Sequence, residues 1–345
     1  MKPATTDEVL EILEAPFTSA ALGTAFELGL FWLLDEQPLS VAGVGEALGI
    51  PQNRCNYWLQ LLEKTGLIRE TEDGYVPSST ARQSILETYS RETWAFLAQE
   101  AREISPALHD LALHIRVPGS VMDSLDFTPV NYVLAMGENP ERAARFTRML
   151  FELHHPLATQ VAENLDMEGI RRFMDLGGGS GVVSMAVLKR HPECTAVVVD
   201  IENVCSAGSH IAGETSVANR ITYHPADFTK DNLPDGFDMV LECDVGEYGT
   251  DLFRRIRGAL NPNGRLVIVD QFPPAVGVAR PGQLHWAFER SLRDPEFRFL
   301  TVGEVRERLA GVGFEVYSEM TLGTPSVTSA TFDKGHTVIQ ARRVG

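Results

Sequence analysis

A glycine-rich turn constrains the fold of this sequence more than any other feature. In the stretch FMDLGGGSGVVSMAV, residues 173–187, an apolar run reaches Asp175, breaks into GGGSG at 177–181 and resumes with helical spacing. Glycines at such a turn allow a tight backbone and let a ligand approach without an intervening Cβ. Ligands of open parallel sheets bind beyond the carboxyl ends of the strands. The turn therefore predicts a ligand cradle that follows the first strand of an α/β domain.

The sequence after about residue 171 alternates short β-rich runs with helical patterns. The runs are RRFMDL, TAVVVD, RITYHPAD, FDMVLEC and GRLVIVDQF. Near-continuous apolar strands are expected where helices cover both faces of a parallel sheet. The last two runs, EVYSEMT and HTVIQARR, have no convincing helix between them, which predicts an antiparallel pair at one edge. We predict a Rossmann-like, doubly wound α/β domain over residues 166–345, with an antiparallel last strand.

The front of the chain has a different pattern. Residues 1–90 show three helical segments followed by IRETEDGYVPSS, a hairpin pattern with a turn at Asp73-Gly74, and this order is typical of a winged helix. The segment holds five Lys or Arg against thirteen Asp or Glu, a net charge of −8, whereas DNA affinity depends mainly on neutralising phosphates. We therefore predict a winged-helix dimerisation domain that does not read DNA. Residues 91–165 are predicted to form a helical linker that contributes to the substrate pocket.

Composition excludes several functional classes. The 345 residues carry a net charge of −17, which disfavours nucleic acid and anionic membrane surfaces as partners. No apolar run approaches the ~20 residues of a membrane span, and the acidic N-terminus is unlike a signal peptide, so we expect a cytoplasmic protein. The four cysteines are scattered without a CxxC pair, which predicts neither a metal site nor a disulfide framework.

The spacing of the glycines bears on which ligand the cradle holds. A dinucleotide site favours G-x-G-x-x-G, whereas here Gly177, Gly179 and Gly181 alternate and the third position after Gly179 is Val182. S-adenosylmethionine has no phosphate and carries a sulfonium cation, so a nearby acid such as Asp175 assists its binding. An NAD-linked reductase is the disfavoured alternative.

Two further acids follow neighbouring strands. Asp200 closes the run AVVVD, where a carboxylate can accept hydrogen bonds from both ribose hydroxyls of an adenosine. Asp227 follows the third strand in HPADF, where it can accept from the adenine amino group while Phe228 packs on the ring. Together these residues predict an adenosyl ligand.

The motifs MDLGGGSG, VVVD, ADF and LNPNGRLVIVDQ resemble the cofactor half of the class I S-adenosylmethionine-dependent methyltransferases. With the acidic front and the late TVGEVRERLAGVGFEV, nearly the whole chain resembles the O-methyltransferase family that has an N-terminal dimerisation domain. The resemblance implies S-adenosylmethionine as methyl donor, S-adenosylhomocysteine as product and a small-molecule substrate. It also implies a metal-independent reaction and a homodimer that swaps helices through the front domain.

The sequence departs from this family after the fourth strand. Members that methylate phenols carry His-Asp-Trp or His-Asn-Trp there, with the His as general base, whereas FDMVLECDVGEYGTDLFRRI has neither His nor Trp. Counting forward from the strand places Glu247 near the expected position, and counting back from the next helix places Glu242 there. We predict Glu247 as a catalytic residue and Glu242 at the cofactor site. A substrate that needs no base, through an acidic hydroxyl or a nucleophilic carbon, stays open.

The remaining candidates face the acceptor. The stretches LECDVGEY and QLHWAFERSLRDPEFRFLTVGEV resemble more closely the branch of bacteriochlorophyll ring-carbon methyltransferases. In that branch a Tyr and a His lie near the acceptor, and Tyr248 and His285 match them, so we predict both as catalytic residues. Four further side chains are predicted to line the substrate pocket: Met149, His154, Trp286 and Phe288.

The prediction is an S-adenosylmethionine-dependent methyltransferase of a small aromatic or polyketide-like metabolite, acting at oxygen. Methylation at carbon, and use of the bound cofactor for hydroxylation or cyclisation, are the alternatives. A DNA-binding regulator that senses adenosyl ligands is a further rival, disfavoured by the charge of the front domain.

Overall fold

The computed structural model describes residues 3–103, 105–109, 111–124, 132–323 and 335–344. The chain divides into two compact units, Met1–His109 and Asp110–Gly345. The predicted domain limits at 90 and 165 stay predictions.

The first unit consists of helices and one hairpin. Its helices are α1 Thr6–Leu28, α2 Leu30–Glu36, α3 Val41–Leu48, α4 Gln52–Lys64, α5 Ser79–Ala81 with a π-turn at Arg82–Leu86, α6 Arg91–Glu103 and α7 Ser105–His109. The hairpin pairs β1 Ile68–Thr71 with β2 Gly74–Pro77, and its two-residue turn is Glu72-Asp73, one residue earlier than predicted. Gly74 begins β2 with a positive φ of 128°, and an added Cβ there would lie 2.5 Å from the backbone of Leu39, so both the conformation and the packing require glycine.

Helix α1 leaves much of its apolar surface uncovered within its own unit. A capping box between Thr5 and Glu8 begins the helix, and Gly29 in the left-handed region ends it. Leu13 is 71% exposed and Phe17 is 74% exposed. Among the described helices, α1 is the one with the length and apolar composition of a membrane span, a property that some helices of water-soluble proteins and signal sequences share.

The second unit is an α/β domain. Its helices are α8 Leu111–His114, α9 Val121–Ser124, α10 Tyr132–Glu138, α11 Pro140–Leu153, α12 His155–Asn164, α13 Val182–Arg190, α14 Glu202–Gly213, α15 Thr250–Ala259, α16 Leu284–Arg293 and α17 Val302–Gly311. Its strands are β3 Arg172–Leu176, β4 Thr195–Asp200, β5 Ile221–Pro225, β6 Phe237–Cys243, β7 Leu260–Asp270, β8 Phe314–Thr321 and β9 Thr337–Arg343.

The seven strands form one sheet in the order β5-β4-β3-β6-β7-β9-β8. The first five are parallel, and β9 runs antiparallel to both β7 and β8. The predicted Rossmann-like sheet with an antiparallel last strand is confirmed. Strand β9 lies inside the sheet and β8 forms its edge.

Hydrophobic cores cover both faces of the sheet because strand side chains alternate. Phe173 and Leu241 pack against α12 and α13 on one face, and Met174 packs against α15 and α17 on the other. The five parallel strands end together, so the turns that follow β3, β4, β5, β6 and β7 meet at one edge of the sheet.

Candidate functional site

The glycine turn joins β3 to α13 in a conformation that glycine favours. Gly177, Gly179 and Gly181 have φ values of 67°, 55° and 76°, in the left-handed region that side chains disfavour. The Gly177 N–H donates to the carbonyl of Val199 at 2.8 Å, which fixes the start of the turn against β4. The backbone conformation of this turn therefore requires glycine at these three positions, in agreement with the tight turn predicted from the sequence.

The turn is packed closely except at Gly179. A Cβ at Gly177 would lie 2.9 Å from Cγ2 of Val245, one at Gly178 would lie 2.5 Å from Cγ of Asp175, and one at Gly181 would lie 2.8 Å from the hydroxyl of Tyr223. At Gly179 an added Cβ would meet no atom within 4 Å among the described residues. The exposed backbone at Gly179 is thus a surface that a ligand can approach.

Asp200 borders this opening. Its Oδ2 accepts from the Gly179 N–H at 3.0 Å and its Oδ1 from the Ile201 N–H at 2.8 Å, while the Tyr132 hydroxyl donates to Oδ1 at 3.4 Å. Burial raises the pKa of Asp200 to about 6, so the group is a carboxylate at neutral pH. Tyr132 was not predicted, and no spacing rule in the sequence connects it to Asp200.

Asp175 lies beneath the turn. The side chain is buried, its Oδ2 accepts from the Ser184 hydroxyl at 2.7 Å, and its Oδ1 has no hydrogen-bond partner among the described residues. Burial raises the pKa of Asp175 to about 6. The carboxyl group therefore places negative charge directly under the cradle at neutral pH.

This raised pKa predicts how substitution of Asp175 changes stability with pH. Between the ordinary value of 3.8 and about 6, the folded protein keeps a proton that the unfolded chain has released, so this group favours folding less as the pH rises. We expect Asp175→Asn to gain stability relative to the parent across that window, by up to about 3 kcal/mol. Urea denaturation of both proteins at pH 4 and pH 7 measures the difference, and a difference independent of pH would contradict it.

Asp227 and Phe228 follow β5. Asp227 Oδ1 accepts from the hydroxyl of Thr229 at 2.6 Å, and its Oδ2 pairs with Lys230 at 2.9 Å. The Thr229 hydroxyl and Lys230 lower the pKa of Asp227 below its ordinary range. The Phe228 ring approaches the cradle, with Cε1 3.3 Å from a Cβ placed on Gly177. Phe228 is thus beside the glycine turn, while the Asp227 carboxylate already has local partners.

Glu242 is buried on β6 with neither carboxyl oxygen hydrogen bonded among the described residues. Burial raises its pKa well above the ordinary value, and the nearby Asp270 and Glu247 add to that effect. The neighbouring Tyr248 is also buried, and its hydroxyl donates to Asp270. Both side chains predicted for the site are therefore placed in a buried acidic cluster at the ends of β6 and β7.

Because an unpaired buried carboxyl is costly, we expect Glu242→Met to raise the free energy of unfolding by about 1–3 kcal/mol at pH 7. Glu242→Gln keeps two polar atoms without partners and is the matched control. Chemical denaturation measures both variants, and a less stable Met variant would show that Glu242 has a partner in solution. Calorimetric titration of the same variants with S-adenosylmethionine tests the predicted cofactor role.

Asp244, His154 and His336 form a cluster just beyond β6. His336 Nε2 lies 2.9 Å from Oδ1 and 3.1 Å from Oδ2 of Asp244, and His154 Nε2 lies 3.5 Å from Oδ2. Asp244 has a φ of 53°, one of two non-glycine residues with positive φ in the described chain. His154 was predicted to line the pocket, whereas Asp244 and His336 were missed.

The other predicted acceptor residues lie on two helices and one loop. Met149 is buried on α11, and His285, Trp286 and Phe288 are exposed on α16, with Trp286 packed on Phe299 at a ring distance of 5.0 Å. Burial raises the pKa of Glu247, and Arg290 on α16 opposes the rise. The loop after β6 and helix α16 are therefore close enough to interact electrostatically.

The geometry of the site can be compared with the two ligands considered from the sequence, S-adenosylmethionine and a dinucleotide. The carboxyl groups of Asp175 and Asp200 flank the cradle, and their negative charge at neutral pH opposes a pyrophosphate and favours a cation. The open backbone at Gly179 next to Asp200 suits a ribose, so the residues fit S-adenosylmethionine better than a dinucleotide. Within the described ranges, no group of three His, Cys, Asp or Glu could hold a metal ion.

Comparison with known proteins agrees with this geometry. Residues 129–308, more than half of the chain, match the model of the O-methyltransferase domain. The demethylspheroidene O-methyltransferase of Cereibacter sphaeroides is 26% identical over 337 residues, which cover 94% of this chain and 86% of the relative. Among solved structures, the mitomycin 7-O-methyltransferase has a TM-score of 0.82 at 22% identity, covering 98% of this chain and 97% of that one. Human N-acetylserotonin methyltransferase in complex with S-adenosylmethionine has a TM-score of 0.77 at 19% identity, with both chains fully covered.

Proposed function

This chain belongs to the O-methyltransferase domain family and is an S-adenosylmethionine-dependent methyltransferase, and from that premise we propose that it methylates a hydroxyl oxygen of a small aromatic or polyketide-like metabolite. When bound, S-adenosylmethionine supplies a methyl group activated by its sulfonium charge. The oxygen of the acceptor would bond to that methyl carbon in line with the departing sulfur, so positioning provides much of the catalysis.

The observation that carries the cofactor assignment is the open face of Gly179 beside the Asp200 carboxylate. Asp200 holds the ribose hydroxyls, and Gly177, Gly179 and Gly181 give the ligand access to bare backbone. Three further residues complete the cofactor side: Phe228 against the purine, Asp227 toward its amino group, and Asp175 as negative charge beneath the turn.

An aromatic acceptor is supported by the apolar side chains of α16. Trp286 and Phe288 each expose 45% of their surface, although large aromatic side chains are usually covered in a folded domain. The relatives bear the names of enzymes for demethylspheroidene, a mitomycin and N-acetylserotonin. We assign Trp286 and Phe288, with Met149 and His154, to the acceptor side, and keep Glu247, His285 and Tyr248 as predicted catalytic residues.

We further propose a cytoplasmic homodimer that associates through the N-terminal unit, with neither nucleic acid nor membrane as partner. The exposed Leu13 and Phe17 of α1 support association, because a second chain would cover their apolar surface. Light scattering of the parent and of Phe17→Glu tests this: the parent is expected at twice the monomer mass, and the variant shifts toward monomer.

Calorimetric titration with S-adenosylmethionine, beside NAD, tests the cofactor. Incubation with a panel of hydroxylated aromatic compounds, followed by mass spectrometry, tests the reaction. A product heavier by one methyl group, together with S-adenosylhomocysteine, supports methyl transfer. If the same compound with its hydroxyl already O-methylated gives no such product, the methyl group is transferred to oxygen. Methylation of a compound whose hydroxyls are all blocked would point to carbon, and a hydroxylated or cyclised product would replace methyl transfer altogether.

A further inference from the structure

We propose that His154 accepts the hydroxyl proton of the acceptor, with Asp244 stabilising the resulting imidazolium and His336 positioning Asp244. This rests on the proposed O-methylation and supplies the base that the missing His motif would otherwise provide. The three residues come from the junction of α11 and α12, the loop after β6 and the entry to β9, so the fold alone brings them together.

Asp244 adopts a left-handed backbone conformation. Outside glycine this region is entered mainly by Asn and Asp, and here the Asp244 N–H donates to the Val269 carbonyl at 2.9 Å. His336 lies fully buried with Nε2 within 3.1 Å of both carboxylate oxygens. Since a carboxylate accepts, the proton of His336 is on Nε2, and this bond holds Asp244 in one orientation.

His154 completes the cluster from the other side. It links α11 to α12 with φ −89° and ψ 0°, and 18% of its side chain is exposed. The 3.5 Å between its Nε2 and Asp244 Oδ2 is longer than the usual N–H···O hydrogen bond and short enough for an ion pair. A carboxylate at this distance stabilises the positive charge that the ring gains when it takes up a proton.

The cluster is next to the place where methyl transfer would occur. Val245 follows Asp244 directly, and its Cγ2 is 2.9 Å from a Cβ built on Gly177 in the cradle. Asp244 is thus one residue from the side chain that closes the glycine turn.

The proton and methyl balance is complete without another reactant. The acceptor O–H bond breaks, its proton moves to the imidazole of His154, and the oxygen forms a bond to the methyl carbon as the carbon–sulfur bond breaks. The sulfur of the departing S-adenosylhomocysteine is uncharged. His154 is then positively charged and paired with Asp244, and it releases the proton to solvent through its exposed edge.

Histidine NMR tests the contact between His154 and Asp244 without any acceptor. The full-length protein is labelled in its imidazole rings and saturated with S-adenosylhomocysteine, and His154→Gln assigns the His154 signal. We expect Asp244→Asn to shift the ring signals of His154, because it removes the carboxylate 3.5 Å from Nε2. Asp270 also acts electrostatically on the cluster, so the spectrum of Asp270→Asn is recorded alongside. An unchanged His154 signal in Asp244→Asn overturns the proposal even if methyl transfer is demonstrated.

Kinetics with any panel compound that is methylated test the base. We expect His154→Gln to lower kcat 10²–10⁴-fold at pH 7, with the deficit shrinking at high pH where the phenol ionises by itself. His155→Gln, the exposed neighbour, is the matched control with parental activity. His336→Leu should lower kcat more than it raises KM, and His336→Gln, which keeps a donor near the position of Nε2, should restore part of the rate. A pH-dependent deficit in Glu247→Gln that is absent from His154→Gln would assign the base to Glu247 and overturn the proposal.

Discussion

We expect Gly179→Leu to lower the affinity for S-adenosylmethionine at least about 100-fold, or about 3 kcal/mol. Among the glycines of the turn, Gly179 alone faces open space, so a side chain there enters the volume that the ligand would occupy. Positive φ adds a cost that is independent of the ligand, since leucine disfavours the left-handed region. Calorimetric titration measures the affinity, and thermal unfolding of the free protein measures the backbone cost.

Gly169→Leu separates the two effects. Gly169 has a φ of 76°, and a Cβ there would also meet nothing within 4 Å, but it precedes β3 and lies at the opposite end of the strand from the cradle. Both substitutions should lower the stability of the free protein by ~1–2 kcal/mol, and only Gly179→Leu should abolish binding. Equal affinities in the two variants would show that the open face of Gly179 is not the ligand site.

The position of a strand in the sheet is related to how apolar its sequence is. The five parallel strands are buried on both faces and therefore appear as continuous apolar runs. Strand β9 has five consecutive buried residues, whereas burial alternates along β8. The run TVIQA is accordingly the more apolar of the last two, and this difference places β9 inside the sheet and β8 at its edge. The sequence pattern contained that distinction, although the prediction stopped at an antiparallel pair.

The proximity of the residues predicted for the cofactor was foreseeable, because they follow successive strands. Gly179 and Asp200 are joined by a hydrogen bond across 21 positions, and the rule that parallel strands end at one edge is enough to expect the two residues to lie close together. The acceptor side follows no such rule. Asp244 and His336 are 92 residues apart, and their contact depends on where β9 enters the sheet. The positive φ of Asp244 has no sequence signature either, since aspartate is common in ordinary backbone.

Backbone conformation that the sequence does not reveal also affects the loop after β6, where neighbouring residues have different environments. Counting positions in LECDVGEY gave Glu242 and Glu247 as site residues, and the resemblance to ring-carbon methyltransferases gave Tyr248. Asp244 and Gly246 have positive φ values of 53° and 74°, and in this loop Glu242 and Tyr248 are buried while Glu247 is exposed. Counting positions assumes regular backbone, so it cannot distinguish these environments.

Asp200→Ala is expected to weaken binding of S-adenosylmethionine by about 2 kcal/mol, close to 30-fold, because a charged acceptor of two hydroxyls is lost. The pKa of Asp200, raised to about 6 by burial, gives this loss a pH dependence. Above pH 6 the group is a carboxylate and accepts fully, whereas below it the proton occupies one oxygen. The parent's affinity should thus fall as the pH drops from 7 to 5, and that of Asp200→Ala should change little.

Asp227→Ala is the matched control, since it removes a carboxylate from the end of the adjacent strand. The oxygens of Asp227 are already engaged by Thr229 and Lys230, so a ligand gains less from them, and its pKa lies below the ordinary range. We expect a loss of affinity smaller than that of Asp200→Ala and independent of pH between 5 and 7. Equal loss of affinity in the two variants, or parental affinity in Asp200→Ala, would contradict the assignment. The hydrogen bond from the Gly179 N–H to Asp200 would then serve only to stabilise the fold, and the ribose would bind elsewhere.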